Sequence, residues 1–179
     1  MDDLDTVRKL EDAGAAAITM HSVFEEQINR EQVASFVHTE SHGQSFAEAL
    51  TYFPSPEAFH LGPNEYLEHL RKVKQAVSVP VIGSLNGYTT GGWLEYAKLI
   101  QDAGADALEL NVFSLGTNPQ ESGAQMELRT VQMVQAVRKA VRIPVAVKLS
   151  PYYTSLAHFA TKLDEAGADG LVLFNRFYQ

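Results

Sequence analysis

The sequence predicts an α/β chain built on a parallel sheet. Three observations predict it: one helix-to-strand phrase occurs three times, a second phrase occurs twice, and helical and strand-like patterns alternate strictly. The first phrase reads Leu10-Glu11-Asp12-Ala13-Gly14-Ala15, Ile100-Gln101-Asp102-Ala103-Gly104-Ala105 and Leu163-Asp164-Glu165-Ala166-Gly167-Ala168. Each copy follows a helical pattern. Its glycine falls just past the helix, where a left-handed residue can satisfy the last carbonyls. The runs that follow are Ala16-Ala17-Ile18-Thr19-Met20, Ala107-Leu108-Glu109-Leu110 and Gly170-Leu171-Val172-Leu173-Phe174. They are short and mostly apolar, as strands of a parallel sheet are.

The second phrase reads Val79-Pro80-Val81-Ile82-Gly83-Ser84 and Ile143-Pro144-Val145-Ala146-Val147-Lys148. Proline opening a strand costs no ladder bond and ends the helix before it. Helices are expected before these strands, at about 64–76 and 126–141, where Val131, Val134, Val137 and Val141 keep helical spacing. Two more fit at about 92–102 and 156–165.

The pattern gives five strands with no Gly-x-Gly-x-x-Gly turn after any of them. A doubly wound dinucleotide-binding sheet would want that turn, so the expectation is a partial (β/α)8 TIM barrel. The strands are taken as two to six in barrel order, in one incomplete domain spanning 1–179. The chain is read as a fragment of a longer frame, with a half-barrel closing as a homodimer as the alternative. The stretch from about 21 to 61 is long for a strand-to-helix connection. It is expected to be an excursion over the active-site side.

The totals narrow the function. With 14 Lys and Arg against 22 Asp and Glu, the net charge of −8 disfavours nucleic acid and anionic membrane as partners and leaves a small-molecule substrate. The absence of cysteine excludes disulfides, thiolate metal sites and thiol nucleophiles. No apolar run approaches the roughly 18 residues of a membrane span. The acidic opening Met1-Asp2-Asp3-Leu4-Asp5 lacks a signal-peptide pattern, so a cytoplasmic protein is expected.

Barrel chemistry sits at the C-terminal ends of the strands. Those ends offer Met20, His21 and Ser22; Ser84, Asn86 and Gly87; Asn111 and Ser114; Lys148 and Ser150; Asn175 and Arg176. Lys148 ends an otherwise apolar strand, where a lone ammonium is costly to bury. It should meet a carboxylate such as Glu109, or a ligand. Asn111 and Asn175 can each present a donor and an acceptor to a planar heterocycle, or cap a loop. Ser114 is a candidate for proton transfer, given a relay and exclusion of water. His38 and His42 flank Glu40 without His-Glu-x-x-His spacing, and no metal site is expected there.

Asp12-Ala13-Gly14-Ala15, Val81-Ile82-Gly83-Ser84-Leu85, Leu108-Glu109-Leu110-Asn111 and Val145-Ala146-Val147-Lys148-Leu149-Ser150-Pro151 together resemble the dihydroorotate dehydrogenase family. The ending Leu173-Phe174-Asn175-Arg176-Phe177-Tyr178-Gln179 resembles its bacterial dihydroorotate dehydrogenase-like branch. The resemblance implies FMN at the top of the barrel, and oxidation of dihydroorotate to orotate in pyrimidine biosynthesis, by hydride transfer to flavin while a base removes a proton. It implies Lys148 near the flavin pyrimidine ring, Asn111 touching flavin and substrate, and Ser84 at a strand end facing the flavin. Asn175 would stand on the substrate side and Ser114 at the base position.

The resemblance also has departures. The family loop reads Asn-x-Ser-Cys-Pro-Asn or Asn-x-Ser-Ser-Pro-Asn. Here it reads Asn111-Val112-Phe113-Ser114-Leu115-Gly116-Thr117-Asn118, with Asn118 as the displaced substrate asparagine. Met20 or His21 stands where the family has a lysine after the first strand here. No asparagine occurs at Phe53-Pro54-Ser55, in the excursion. The phosphate loops after strands seven and eight are not in this chain. A barrel lyase forming a Schiff base on Lys148 and a non-catalytic module are the rival readings.

Overall fold

The computed structural model describes residues 3–24, 63–87, 90–112 and 116–175. Ser114, His38, Glu40, His42 and the positions around Phe53 lie outside them. The described elements are α1 Leu4–Asp12, β1 Ile18–Phe24, α2 Pro63–Ala76, β2 Val81–Asn86 and α3 Thr90–Asp102. They continue with β3 Ala107–Asn111, α4 Gly123–Ala140, β4 Val145–Leu149, α5 Leu156–Glu165 and β5 Gly170–Leu173.

The sheet runs β1-β2-β3-β4-β5, every neighbouring pair parallel. A doubly wound sheet would reverse its order part-way. This one never does, and α1 to α5 pack in succession against one another. The architecture is that of a partial (β/α)8 barrel.

Alternation along the strands divides the sheet. Val81 and Leu85, Leu108 and Leu110, and Val145 and Val147 are buried on the helix-covered face. The helices meet them with one stripe each: Tyr66, Leu70 and Val73 from α2, Trp93, Ala97 and Ile100 from α3, Val134 and Val137 from α4. At Gly83 a Cβ would stand 2.3 Å from an Ile100 methyl, so the missing side chain is what lets α3 seat on β2.

The repeated phrase is one structure made three times. Gly14, Gly104 and Gly167 have φ of +93°, +98° and +96°. At each, the glycine N–H returns to the carbonyl three residues back and the next alanine N–H to the one five back, as at Gly14 to Glu11 (2.8 Å) and Ala15 to Leu10 (3.0 Å). These bonds close the helix ends. The expected role of the glycine is what the structure shows.

The repeat extends further than the phrase. The Asp106 carboxylate accepts Val81 N–H at 2.7 Å while Asp106 N–H donates to Val81 O at 2.8 Å. Asp169 and Val145 make the same exchange at 2.8 Å each way. Each aspartate also meets a cation from the helix before that strand: Lys74 Nζ at 2.6 Å and Arg138 Nε at 3.2 Å. Burial pushes the Asp106 carboxyl up, but Lys74 and the Val81 amide outweigh it and leave it below the ordinary range. Pro80 and Pro144 open their strands by accepting from Ile18 and Leu108, both at 2.9 Å.

Two boundaries differ from expectation. The fourth helix begins at Gly123 because Ser122 and Gln125 form a reciprocal capping box. The first strand runs on to Phe24, so His21 and Ser22 belong to it and do not open the excursion. An irregularity between Thr19 and Ser22 lets β1 shift register and keep pairing, Ser22 with Ser84 and Phe24 with Asn86.

Candidate functional site

Register decides which side chains meet. Ser22 pairs with Ser84, Ser84 with Glu109, and Asn111 with Lys148. Paired residues of a parallel sheet project to the same face, and Glu109 and Asn111 are two apart on one strand. All five therefore leave the sheet on the face opposite the helices. Asn175 joins them just past β5, where its N–H donates to Leu149 O at 2.7 Å.

These side chains form a connected set. The Asn175 Nδ2 donates to Asn111 Oδ1, and Asn111 Nδ2 donates to Ser22 Oγ at 3.1 Å. Ser22 and Ser84 hydroxyls lie 2.7 Å apart. Ser84 Oγ donates to Glu109 Oε1 at 2.9 Å. Lys148 Nζ stands 3.5 Å from the same oxygen. Glu109 is only 6% exposed, whereas the Lys148 side chain keeps 26% of its surface open. The ammonium has three N–H groups and spends one on a long bond to Glu109, so it retains donor capacity.

Tyr66 supports this set from α2. Its hydroxyl accepts Ser84 N–H at 3.0 Å and donates to Ser84 O at 3.3 Å, next to the irregular stretch of β1. The His21 ring meets Tyr66 edge-on at 5.4 Å between centroids. Burial, with a contribution from the charge on Glu109, pushes the Tyr66 phenol up to about 12. It therefore stays neutral and able to donate.

The structure thus brings Lys148, Asn111, Asn175 and Ser84 together. Ser84 is fully buried, with its hydroxyl engaged on Ser22 and Glu109. Asn118 is placed elsewhere: it is exposed and its Oδ1 caps the Gln120 N–H at 3.0 Å. Sequence reasoning named Glu109 only as a partner for Lys148 and gave Ser22 and Tyr66 no role. The alternation Leu108-Glu109-Leu110-Asn111, apolar then polar, is a signal that could have placed Glu109 on the Asn111 face. A cleft beside the end of β4 is lined by Ser150, Tyr153 and Thr154 and by Gly123, Met126 and Glu127 of α4. Among the described residues, no three His, Asp or Glu side chains are grouped to hold a metal, and no helix is long and apolar enough to cross a membrane.

A part-exposed cation and two carboxamides on one rim suit an electron-rich planar ring, whose carbonyls need donors and whose ring N–H needs an acceptor. In their chemistry the residues present fit the pyrimidine edge of a flavin.

Known proteins similar to this chain in sequence share one family description. A family model described as dihydroorotate dehydrogenase matches residues 60–177. The chain is 34% identical over 126 residues to the catalytic subunit of dihydroorotate dehydrogenase B (NAD(+)) of Methanocaldococcus jannaschii, covering 64% of this chain and 38% of that one. It is 31% identical over 113 residues to dihydroorotate dehydrogenase A (fumarate) of Lacticaseibacillus paracasei, covering 58% and 36%. The chain spans little more than a third of the length of these curated relatives. Among solved structures, phosphoenolpyruvate phosphomutase from Streptomyces platensis subsp. rosaceus superposes with a TM-score of 0.58 at 22% identity, over 96% of this chain and 50% of that one. That likeness concerns the fold.

Proposed function

The chain belongs to the dihydroorotate dehydrogenase family, and from that premise we propose that it carries the central part of an FMN-dependent site that oxidises dihydroorotate to orotate. The observation that carries the proposal is the shared rim of Lys148, Asn111 and Asn175 on the face away from the helices. When bound, FMN would supply the hydride acceptor.

The residues of this chain have the remaining tasks. Lys148 holds a cation where negative charge grows on the reduced ring. Asn111 orients ring and substrate through its second amide N–H. Asn175, with its Oδ1 and one N–H uncommitted to Asn111, takes the substrate side. Ser84 acts from behind, through Glu109 and Ser22. Ser114 is the proposed base, and Asn118 reaches the substrate only if its turn rearranges. The protein works in the cytoplasm, and a homodimer is compatible with the reading.

Expression of the natural protein from its complete reading frame tests the proposal. The expected product is yellow, and dihydroorotate bleaches the visible flavin band without oxygen. A colourless protein that takes up no added FMN overturns it. Trapping of Lys148 by borohydride with a carbonyl substrate would instead favour the Schiff-base reading.

A further inference from the structure

The hydrogen bonds at the rim have a direction that the chemistry of the groups dictates. A carboxylate only accepts, so the single Ser84 hydroxyl proton goes to Glu109. Ser84 then has only lone pairs to offer Ser22, and Ser22 must be the donor across their 2.7 Å contact. With its own proton spent, Ser22 can only accept from Asn111, which turns Nδ2 toward Ser22 and leaves Oδ1 to receive the Asn175 amide. Every bond runs one way, from Asn175 through Asn111, Ser22 and Ser84 to Glu109. Lys148 donates to the same carboxylate oxygen.

We propose that Glu109 is a positioning residue: it fixes the sense of this hydrogen-bond chain and holds Lys148, and through both it sets which groups the rim turns toward a bound ring. The proposal rests on the flavin reading only for the identity of that ring. Both ends of the chain follow from one acceptor-only group. With a group that also donates at position 109, the sense is no longer enforced. Asn111 can then turn over and exchange its donor and acceptor sides, which changes the pattern a ligand meets. Buried chains of this kind polarise one another and transmit such a change.

The test compares Glu109→Gln, isosteric but able to donate, with and without Ser84→Ala, which cuts the chain between Glu109 and Ser22. Side-chain amide 1H–15N spectra of the complete, ligand-free protein report on Asn111 and Asn175. Glu109→Gln is expected to move or split both signals, and to move them far less when Ser84 is alanine. Signals that stay in place, or that move equally in both backgrounds, overturn the proposal. If Glu109→Gln does not fold, Ser22→Ala serves. It cuts the chain beside Asn111 and should split the Asn111 signal, whereas an unmoved single signal overturns the proposal.

FMN titration adds the functional readout, with affinity expected to fall about tenfold in Glu109→Gln, the size of one charged hydrogen bond. Wild-type protein that takes no FMN defeats the flavin reading and leaves the amide signals to judge Glu109. Wild-type protein that binds FMN while Glu109→Gln leaves amide signals and affinity unchanged defeats the Glu109 proposal alone.

Discussion

On one face of the sheet Leu108, Leu110, Val145 and Val147 are fully buried. On the other, at the ends of the same two strands, Lys148 is bonded to Glu109, and Asn111 is linked to Glu109 through Ser22 and Ser84. Neighbouring residues of one strand thus have opposite chemistry. The helix-covered face gains stability by removing apolar surface from water. The opposite face holds polar groups whose burial is tolerable only because each has a partner. Leu110 and Asn111 are adjacent in sequence yet belong to these two regimes. A strand of period two can therefore carry the core on one side and a polar rim on the other.

The comparison breaks most visibly on the helix-covered side. Leu110→Ala should cost about 2–5 kcal/mol, as deletions from sealed cores do. Chemical denaturation measures the loss, and one under about 1 kcal/mol would mean that this face is not the core. A milder effect is expected at the opposite ends of the strands. There Asp106 joins Lys74 and the Val81 amide in a pair more than a third exposed on its carboxylate side. Asp106→Asn should cost below about 1 kcal/mol near neutral pH, because solvent screens the pair. The folded-state pKa lies below the ordinary 3.8, so the contribution is fully present above that value. It disappears as pH falls through the lowered folded-state pKa. Denaturation midpoints of the two proteins should converge there, and a gap that widens in acid would contradict the assignment.

Most of the fold was legible because its signals are local and repeated. The glycines of the three phrases each close a helix, and Pro80 and Pro144 each open a strand, whatever the rest of the chain does. The braces at Asp106 and Asp169 were not read. They join residues far apart in sequence, although Lys74 and Arg138 stand equally far before Pro80 and Pro144. At the site, Lys148 and Asn111 were legible as polar interruptions of apolar strands. Ser22 was named at a strand end but given no role, because its bonds depend on an irregularity that carries β1 past the end of its apolar run. Tyr66 was not legible, because it serves the backbone of β2 from a helix, and helical spacing marks it only as core. Asn118, expected on the substrate side, is exposed and accepts the Gln120 N–H within its own turn.

The most direct test sets the two neighbouring residues against each other in one titration. FMN affinity is measured in the complete protein for Leu110→Ala and Asn111→Ala, under conditions where both are folded. The account predicts that Leu110→Ala binds within a few-fold of wild type despite its lost stability. Asn111→Ala should lose at least about tenfold in affinity, the cost of a missing buried hydrogen bond. Undiminished binding in Asn111→Ala, or an equal loss in both variants, would contradict it.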